Sequence, residues 1–362
     1  MLLSLLLASP CSLPPKWPMA GITFTGGRYC PNVTMGSAAG LASLDHLAST
    51  GATWVSLIVT QYQTSINTTD VFPLYNASQV PAEYYTYVTI SEADLLAAIR
   101  HAHSLGLKIM LKPHVDPLTN NAPLGKTWRG QIGEYFTAKE WDAWFASYWT
   151  MLRHYAELAE REHIEMLSMN CELITANNQS SHWRELVERV RAVYSGLVTT
   201  APNGHGHELW VSWWDALDVI GVDLYDQIAG DTVEEMVKSW QPYLKILESM
   251  HRQYRRPVLF SEIGYCSGTH CDRAHNATPA ALQRQADHYE ALFLAAAGKD
   301  WILGAFWWNW DADPAFARGD DCLTPQWKPA EAVLRRYYRA TQPRPPVPVY
   351  MPRCIGPGTC TK

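Results

Sequence analysis

Phenylalanine and positive charge are both in short supply in this chain of 362 residues, which has 8 Phe and 29 Lys plus Arg against 35 Asp plus Glu. The resulting net charge of −6 leaves no basic footprint for nucleic acid or for an anionic membrane surface. Membrane-length apolar runs are missing as well. The opening Met1-Leu2-Leu3-Ser4-Leu5-Leu6-Leu7-Ala8-Ser9-Pro10 is too short to cross a bilayer. Thr25-Gly26-Gly27-Arg28 after the first strand candidate is not the glycine pattern that cradles a dinucleotide phosphate. No Cys/His spacing reads as a zinc site, so no metal or nucleotide cofactor is expected. Beyond the strand–helix alternation described below, the sequence has no internal repeat.

What is abundant is the amphipathic aromatic: 16 Trp and 18 Tyr. Their flat apolar faces and polar edges suit stacking on a sugar ring while hydrogen-bonding its hydroxyls. Large proteins also use Trp in the core, so the excess points to carbohydrate only alongside other signs. Five of the eleven asparagines (Asn32, Asn67, Asn76, Asn178 and Asn276) lie in Asn-X-Ser/Thr sequons, the acceptor sites of glycosylation. Among 8 cysteines, Cys266 and Cys271 share one loop and Cys354 and Cys360 share the tail, the spacing of local disulfides in a secreted chain. Cys30 and Cys322 would lie on adjacent loops if the first and last strands are neighbours. These features together predict a secreted glycoprotein. Residues 1–17 then read as a signal-like segment or N-terminal arm, 18–340 as the folded domain, and 341–362 as a proline-rich tail.

Short β-branched runs alternate with segments of helical period. The strand candidates are Met19–Thr25, Thr53–Gln61, Lys108–Val115, Ile164–Cys171, Gly196–Ala201, Val219–Tyr225, Val258–Gly264 and Leu303–Trp308. Each is followed by a helical pattern; Ser91 caps one, Ala138–Arg161 and Thr232–Arg255 are long and amphipathic, Thr278-Pro279 opens another, and Lys328–Arg339 is the last. Eight such alternations require parallel strands and predict a single-domain α/β fold, the (β/α)8 TIM barrel. An open doubly wound sheet is the competing architecture, and the absent phosphate turn counts against it.

In such a barrel the C-terminal strand ends build the active face. Here they carry Lys112-Pro113-His114, Asn170-Cys171-Glu172, Asp223-Leu224-Tyr225, Ser261-Glu262 and Trp307-Trp308-Asn309-Trp310. Glu172 and Glu262 follow the fourth and seventh strands and would face each other across the barrel mouth. Cleaving a glycosidic bond needs such a pair, an acid to protonate the leaving oxygen and a carboxylate to meet the oxocarbenium-like carbon. Trp308 is expected to floor the sugar site with Trp310 nearby, and Trp307 to pack between barrel and helices, because alternate strand residues point opposite ways. Trp128 and Arg129 lie in the long loop after the third strand, where substrate walls are built. Trp213 and Trp214 are expected in the core.

These positions resemble clan A glycoside hydrolases. More narrowly, Leu111-Lys112-Pro113-His114-Val115, Trp128-Arg129-Gly130, Phe260-Ser261-Glu262-Ile263-Gly264-Tyr265 and Phe306-Trp307-Trp308-Asn309-Trp310 resemble glycoside hydrolase family 113, which contains retaining β-mannanases. The likeness runs from about Gly21 to Tyr338. It implies Glu172 as acid/base and Glu262 as nucleophile. Tyr225 is then expected to hold the nucleophile ionised, and Lys112, His114, Trp128, Asn170, Trp308 and Trp310 to contact a carbohydrate substrate. Many enzymes of the clan place Asn directly before the acid/base, against the sugar 2-hydroxyl; here Cys171 stands there and Asn170 one place earlier, which leaves the sugar open. A gluco-, galacto- or glucosamine-type substrate and a catalytically silent sugar-binding barrel are the alternatives.

Overall fold

The computed structural model describes residues 17–26, 33–75, 88–121, 127–225, 228–268, 277–319 and 323–341. The strands are β1 (Met19–Thr25), β2 (Trp54–Gln63), β3 (Lys108–Pro117), β4 (Met166–Cys171), β5 (Leu197–Ala201), β6 (Ile220–Leu224), β7 (Val258–Ile263) and β8 (Ile302–Asp311). The helices are α1 (Ala38–Ser49), α2 (Glu92–Ser104), α3 (Ala138–Arg161), α4 (Ser180–Arg191), α5 (Val233–Tyr254), α6 (Pro279–Ala295), α7 (Pro314–Gly319) and α8 (Pro329–Thr341). One eight-stranded sheet runs in the order β5-β4-β3-β2-β1-β8-β7-β6, and its paired strands are parallel. At the β5–β6 seam the Asp223 amide donates to the Pro202 carbonyl at 3.0 Å and the Gly204 amide to the Asp223 carbonyl at 2.7 Å. These bonds close the ring into a (β/α)8 barrel.

Local chemistry explains the helix starts. Ser91, Thr137, Thr232 and Thr278 each accept a backbone amide of the first turn, satisfying donors a helix otherwise leaves orphaned. At Thr137 and Thr232 a glutamate three residues on returns the bond to the cap amide, completing a capping box. The main core lies between barrel and helices. A smaller cluster of Met19, Trp54, Met110, Met166, Val219, Leu259 and Phe306 plugs the barrel's N-terminal end. Gly21 makes room for it: a Cβ there would come within 2.6 Å of the Phe306 ring. Among the described residues no helix is long and apolar enough to cross a membrane.

The fifth unit departs from expectation. No α-helix follows β5; two 3₁₀ turns, His207–Trp210 and Trp214–Ala216, take its place. Pro202 and the left-handed residues His205 (φ 63°) and Gly206 (φ 95°) break any helical run before it can nucleate. Trp213 and Trp214, at the start of the second turn, are buried, their indoles donating to the carbonyls of Asn177 at 3.2 Å and Glu208 at 3.0 Å. They fill the volume a helix would have filled.

Strand pairing is irregular near several C-terminal ends. Register shifts fall between Ser168 and Cys171, between Phe260 and Ile263, and on β8 between Trp307 and Trp310. Such bulges reverse the inward–outward alternation beyond them, which decides what enters the barrel mouth.

Candidate active site

Lys112 is wholly buried on β3, and its ammonium reaches two acids: Asp223 at 2.9 and 2.7 Å, and Glu262 at 2.5 Å. Burial alone would lower its pKa, but the charge of Asp223 and the neighbouring acids reverse the sign, so the ammonium stays charged. Ser261 also donates to Asp223 at 2.8 Å. Burial and the charge of Glu262 raise the Asp223 carboxyl against Lys112. Of the two acids sharing the ammonium, Glu262 is the more easily ionised.

Three further contacts define Glu262. The Tyr225 hydroxyl donates to its Oε2 at 2.6 Å; burial and the adjacent carboxylate push the phenol far up, so it remains a donor. His114 Nε2 lies 3.6 Å from Oε1, beyond a full hydrogen bond. Arg129 Nη1 meets His114 Nδ1 at 2.9 Å. A guanidinium only donates, so Nδ1 carries the lone pair and Nε2 carries the proton aimed at Glu262. Burial, then the Arg129 charge, lowers the His114 pKa to about 3; the ring is neutral. Burial would raise Glu262, but Lys112 and His114 outweigh it and hold the carboxyl below the usual range.

Glu172 sits at the end of β4 in left-handed backbone (φ 54°), uncommon for a non-glycine residue and frequent at functional sites. Its amide donates to the Ala201 carbonyl at 2.7 Å and its Oε1 accepts from Asn203 Nδ2 at 3.0 Å. Burial raises its pKa first; Arg129 lowers it and the charge of Glu262 raises it again, with a net upward shift. One carboxyl is thus held ionised and the other biased toward its acid form. That division suits protonation of a leaving oxygen by one and attack on carbon by the other.

The bulges settle which neighbours join this pair. Cys171, not Asn170, faces the cluster: its sulfur accepts from Arg129 Nη1 at 3.0 Å and lies 3.5 Å from Asp223 and 3.8 Å from Glu262. Burial raises the thiol well above its ordinary pKa, which keeps it a thiol. Asn170 points the other way and donates to Asn177 Oδ1 at 3.1 Å. Trp308 enters the mouth, its ring parallel to His114 (centroids 6.3 Å, 11° between planes). Trp310 does not. It is fully buried against α1, its indole donating to the Ser43 carbonyl at 3.1 Å. Trp307 stacks on Tyr289 at 3.8 Å, outside the barrel. Trp128 is half-buried over Gly130, next to Arg129, which Asp116 anchors at 2.8 Å.

Asp223, Ser261 and Asn203 belong to the cluster, yet strand-end reading gave none of them a role; Arg129, expected with Trp128 in the substrate-wall loop, belongs to it as well. Asp223 stands two residues before Tyr225 and so shares its face, a signal the sequence does carry. Asn203 directly follows the Ala201-Pro202 strand end, where the same rule applies.

His114, Cys171 and Glu262 bring three donor atoms within 4.8 Å of one another. Those atoms already receive Arg129 and Lys112, two cations that oppose a metal ion in the same place. The donor set does not fit a metal. The free cysteine among the described residues is Cys171; the pairings expected for Cys30, Cys266, Cys271, Cys322, Cys354 and Cys360 involve residues outside them.

The model of Glycoside Hydrolase Family 113 matches residues 24–321. Among solved structures, the chain is similar to the family 113 β-mannanase of Alicyclobacillus acidocaldarius in complex with ManMIm. The identity is 31% over 90% of this chain and 98% of that one, with a TM-score of 0.71. It is also similar to a family 113 β-1,4-mannanase solved as a complex, at 28% identity over 89% and 98% of the two chains and a TM-score of 0.70. A family 5 mannosidase from Rhizomucor miehei, 9% identical over 91% and 93% with a TM-score of 0.58, shares the fold. A search of curated proteins finds no match. With its family model spanning most of the barrel, the chain belongs to glycoside hydrolase family 113.

Proposed function

We propose that this glycoside hydrolase cleaves β-mannan by double displacement, with Glu262 as nucleophile and Glu172 as acid/base. In the first step a Glu262 carboxylate oxygen bonds to the anomeric carbon as the glycosidic C–O bond breaks, and the Glu172 proton passes to the leaving oxygen. In the second, Glu172 takes a proton from water as the water oxygen displaces Glu262, restoring both groups and the original configuration. Lys112, the neutral His114 and Tyr225 hold Glu262 in place without neutralising it. Trp308 supplies the aromatic floor beside them. The observation that carries this reading is the asymmetry of the pair: Glu262 takes the Lys112 ammonium at 2.5 Å and the Tyr225 hydroxyl at 2.6 Å, whereas Glu172, buried at the end of β4, takes the neutral amide of Asn203 at 3.0 Å. The sugar itself is that of the similar family 113 enzymes, which are β-mannanases.

The compartment belongs to the same proposal. The exposed sequon asparagines Asn67 and Asn178 and the apolar N-terminal segment support a secreted, glycosylated enzyme with disulfides in its loops, acting on polysaccharide outside the cell.

The test is kinetic. Glu262→Ala lowers turnover of β-1,4-mannan by at least about 10⁴-fold. Glu172→Ala keeps measurable activity on aryl β-mannosides with good leaving groups, and azide rescues it by forming the β-glycosyl azide. Ordinary turnover by Glu262→Ala sinks the assignment. A wild-type enzyme that prefers β-glucosides or β-galactosides in a substrate panel sinks the choice of sugar alone.

A further inference from the structure

Two large apolar side chains stand exposed on the turn that follows β5 at the C-terminal end of the barrel. Leu209 is 55% exposed and Trp210 49%, whereas most tryptophans of the chain are buried. Both lie on the 3₁₀ turn His207–Trp210 that replaces a helix after β5. A continuous set of contacts joins this turn to Glu172. Asn203 donates to the Glu172 carboxyl at 3.0 Å. The next residue, Gly204, is fixed to β6 by its amide at 2.7 Å. Its carbonyl receives His207 Nδ1 at 3.0 Å, and the His207 ring meets Trp210 edge to face at 4.7 Å.

The turn is held from below. Glu208 is fully buried; its carboxylate accepts from the Gly206 amide at 3.0 Å and its carbonyl from the Trp214 indole at 3.0 Å. The left-handed pair His205 and Gly206 turns the chain so that Glu208 goes inward while Leu209 and Trp210 go outward. With Nδ1–H committed to a carbonyl, Nε2 is the remaining polar atom of the His207 ring. An anchored flat indole beside one polar edge is the chemistry that binds a pyranose, its axial C–H face on the ring and a hydroxyl on the nitrogen.

Geometry also fixes which sugar. The acid protonates the leaving oxygen, so the leaving sugar lies on the acid's side of the scissile bond. We infer that the Leu209–Trp210 turn, with the open edge of His207, is the platform for the sugar unit on the leaving-group side of the cleavage point. The inference rests on the proposed glycosidic chemistry and adds to it the residues that read the departing half of the substrate.

The experiment compares two substrates that differ on that side only: β-1,4-mannohexaose, with sugars beyond the cleaved bond, and 4-nitrophenyl β-mannobioside, with a small aryl group there. Trp210→Ala lowers kcat/KM on mannohexaose about tenfold more than on the aryl substrate, chiefly through KM. Trp210→Phe, which keeps a flat ring, restores most of the difference. Equal losses on both substrates, or no loss on either, overturn the platform. Binding of mannohexaose to Glu262→Ala, measured by calorimetry with and without Trp210→Ala, gives a second reading independent of turnover; undiminished affinity overturns the inference. A wild-type enzyme that cleaves neither substrate refutes the β-mannoside reading instead, and the calorimetric comparison then decides the platform by itself.

Discussion

Glu262 and Glu172 differ in the donors aimed at them. Lys112 and Tyr225 meet the first at 2.5 and 2.6 Å, and the second receives the amide of Asn203 at 3.0 Å. A charge-assisted bond from a buried ammonium favours ionisation far more than a neutral amide does, so the two pKa values separate. The pH profile of kcat/KM should carry both. Its acid limb is set by Glu262 and lies below the ordinary carboxylate range; its alkaline limb is set by Glu172 and lies above it. Asn203 lowers Glu172, so Asn203→Ala moves the alkaline limb to higher pH and leaves the acid limb in place. Lys112 lowers both carboxyls, so Lys112→Met moves both limbs to higher pH. A pH–rate series on the two variants checks this. An alkaline limb unmoved by Asn203→Ala would show that another group sets it. At this scale the sequence was generous. Glu172, Glu262, Lys112, His114 and Tyr225 are all strand-end polar residues, and a buried charge such as Lys112 requires a partner. The partner Asp223 was legible by alternation from Tyr225. Arg129 was expected with Trp128 in the substrate-wall loop, but its hold on the His114 tautomer from thirteen residues beyond Asp116 was not legible, because nothing local dictates where a loop guanidinium lands.

Single elements decide the orientation of side chains, and there strict alternation misleads. Counting by twos from Phe306 and Trp308 puts Trp310 in the barrel mouth, but the register shift on β8 turns it outward onto α1. Counting by twos from Met166 and Ser168 brings Asn170 inward, but the shift before Cys171 substitutes the thiol. A bulge adds one residue and has no compositional mark in these strands, so it stays hidden in sequence while the strands themselves are plain. Helix starts are the opposite case. Ser91, Thr137, Thr232 and Thr278 announce them because capping is local chemistry. The missing helix after β5 is a third case, where Trp213 and Trp214 supply apolar residues of helical appearance to a pair of 3₁₀ turns. The outward placement of Trp310 has a measurable consequence. Trp310→Phe removes the indole bond to the Ser43 carbonyl of α1 and the packing of the larger buried ring, costing about 1–3 kcal/mol of stability. The KM for mannohexaose stays as in wild type. A raised KM with unchanged denaturation midpoint would return Trp310 to the sugar groove.

The whole ring is uneven in strength, and the weak place is where the chemistry is. β2 and β3 pair without a break from Trp54–Lys108 to Gln63–Pro117. β5 and β6 meet through the isolated bridge of Asn203 with Asp223 and a few amide bonds, with no α-helix between them to brace the joint. Cooperative units open from the end with fewest buried contacts and bonds, so the β5–β6 seam is the first part of the barrel to separate. That seam carries Asn203, Asp223 and the turn ending at Trp210, and Asp223 shares Lys112 with Glu262 across the mouth. A sugar chain lying from the Glu262 side to the Glu172 side would fasten the two edges together. Hydrogen exchange reads this directly. The amides of Gly204 and Asp223 should exchange faster than those of the β2–β3 ladder in the free enzyme. Mannohexaose bound to Glu262→Ala should slow the seam amides most. Equal protection around the ring in the free enzyme, or slowing spread evenly over all eight strands on binding, would mean that the barrel opens as one unit and that the seam has no special part in holding substrate.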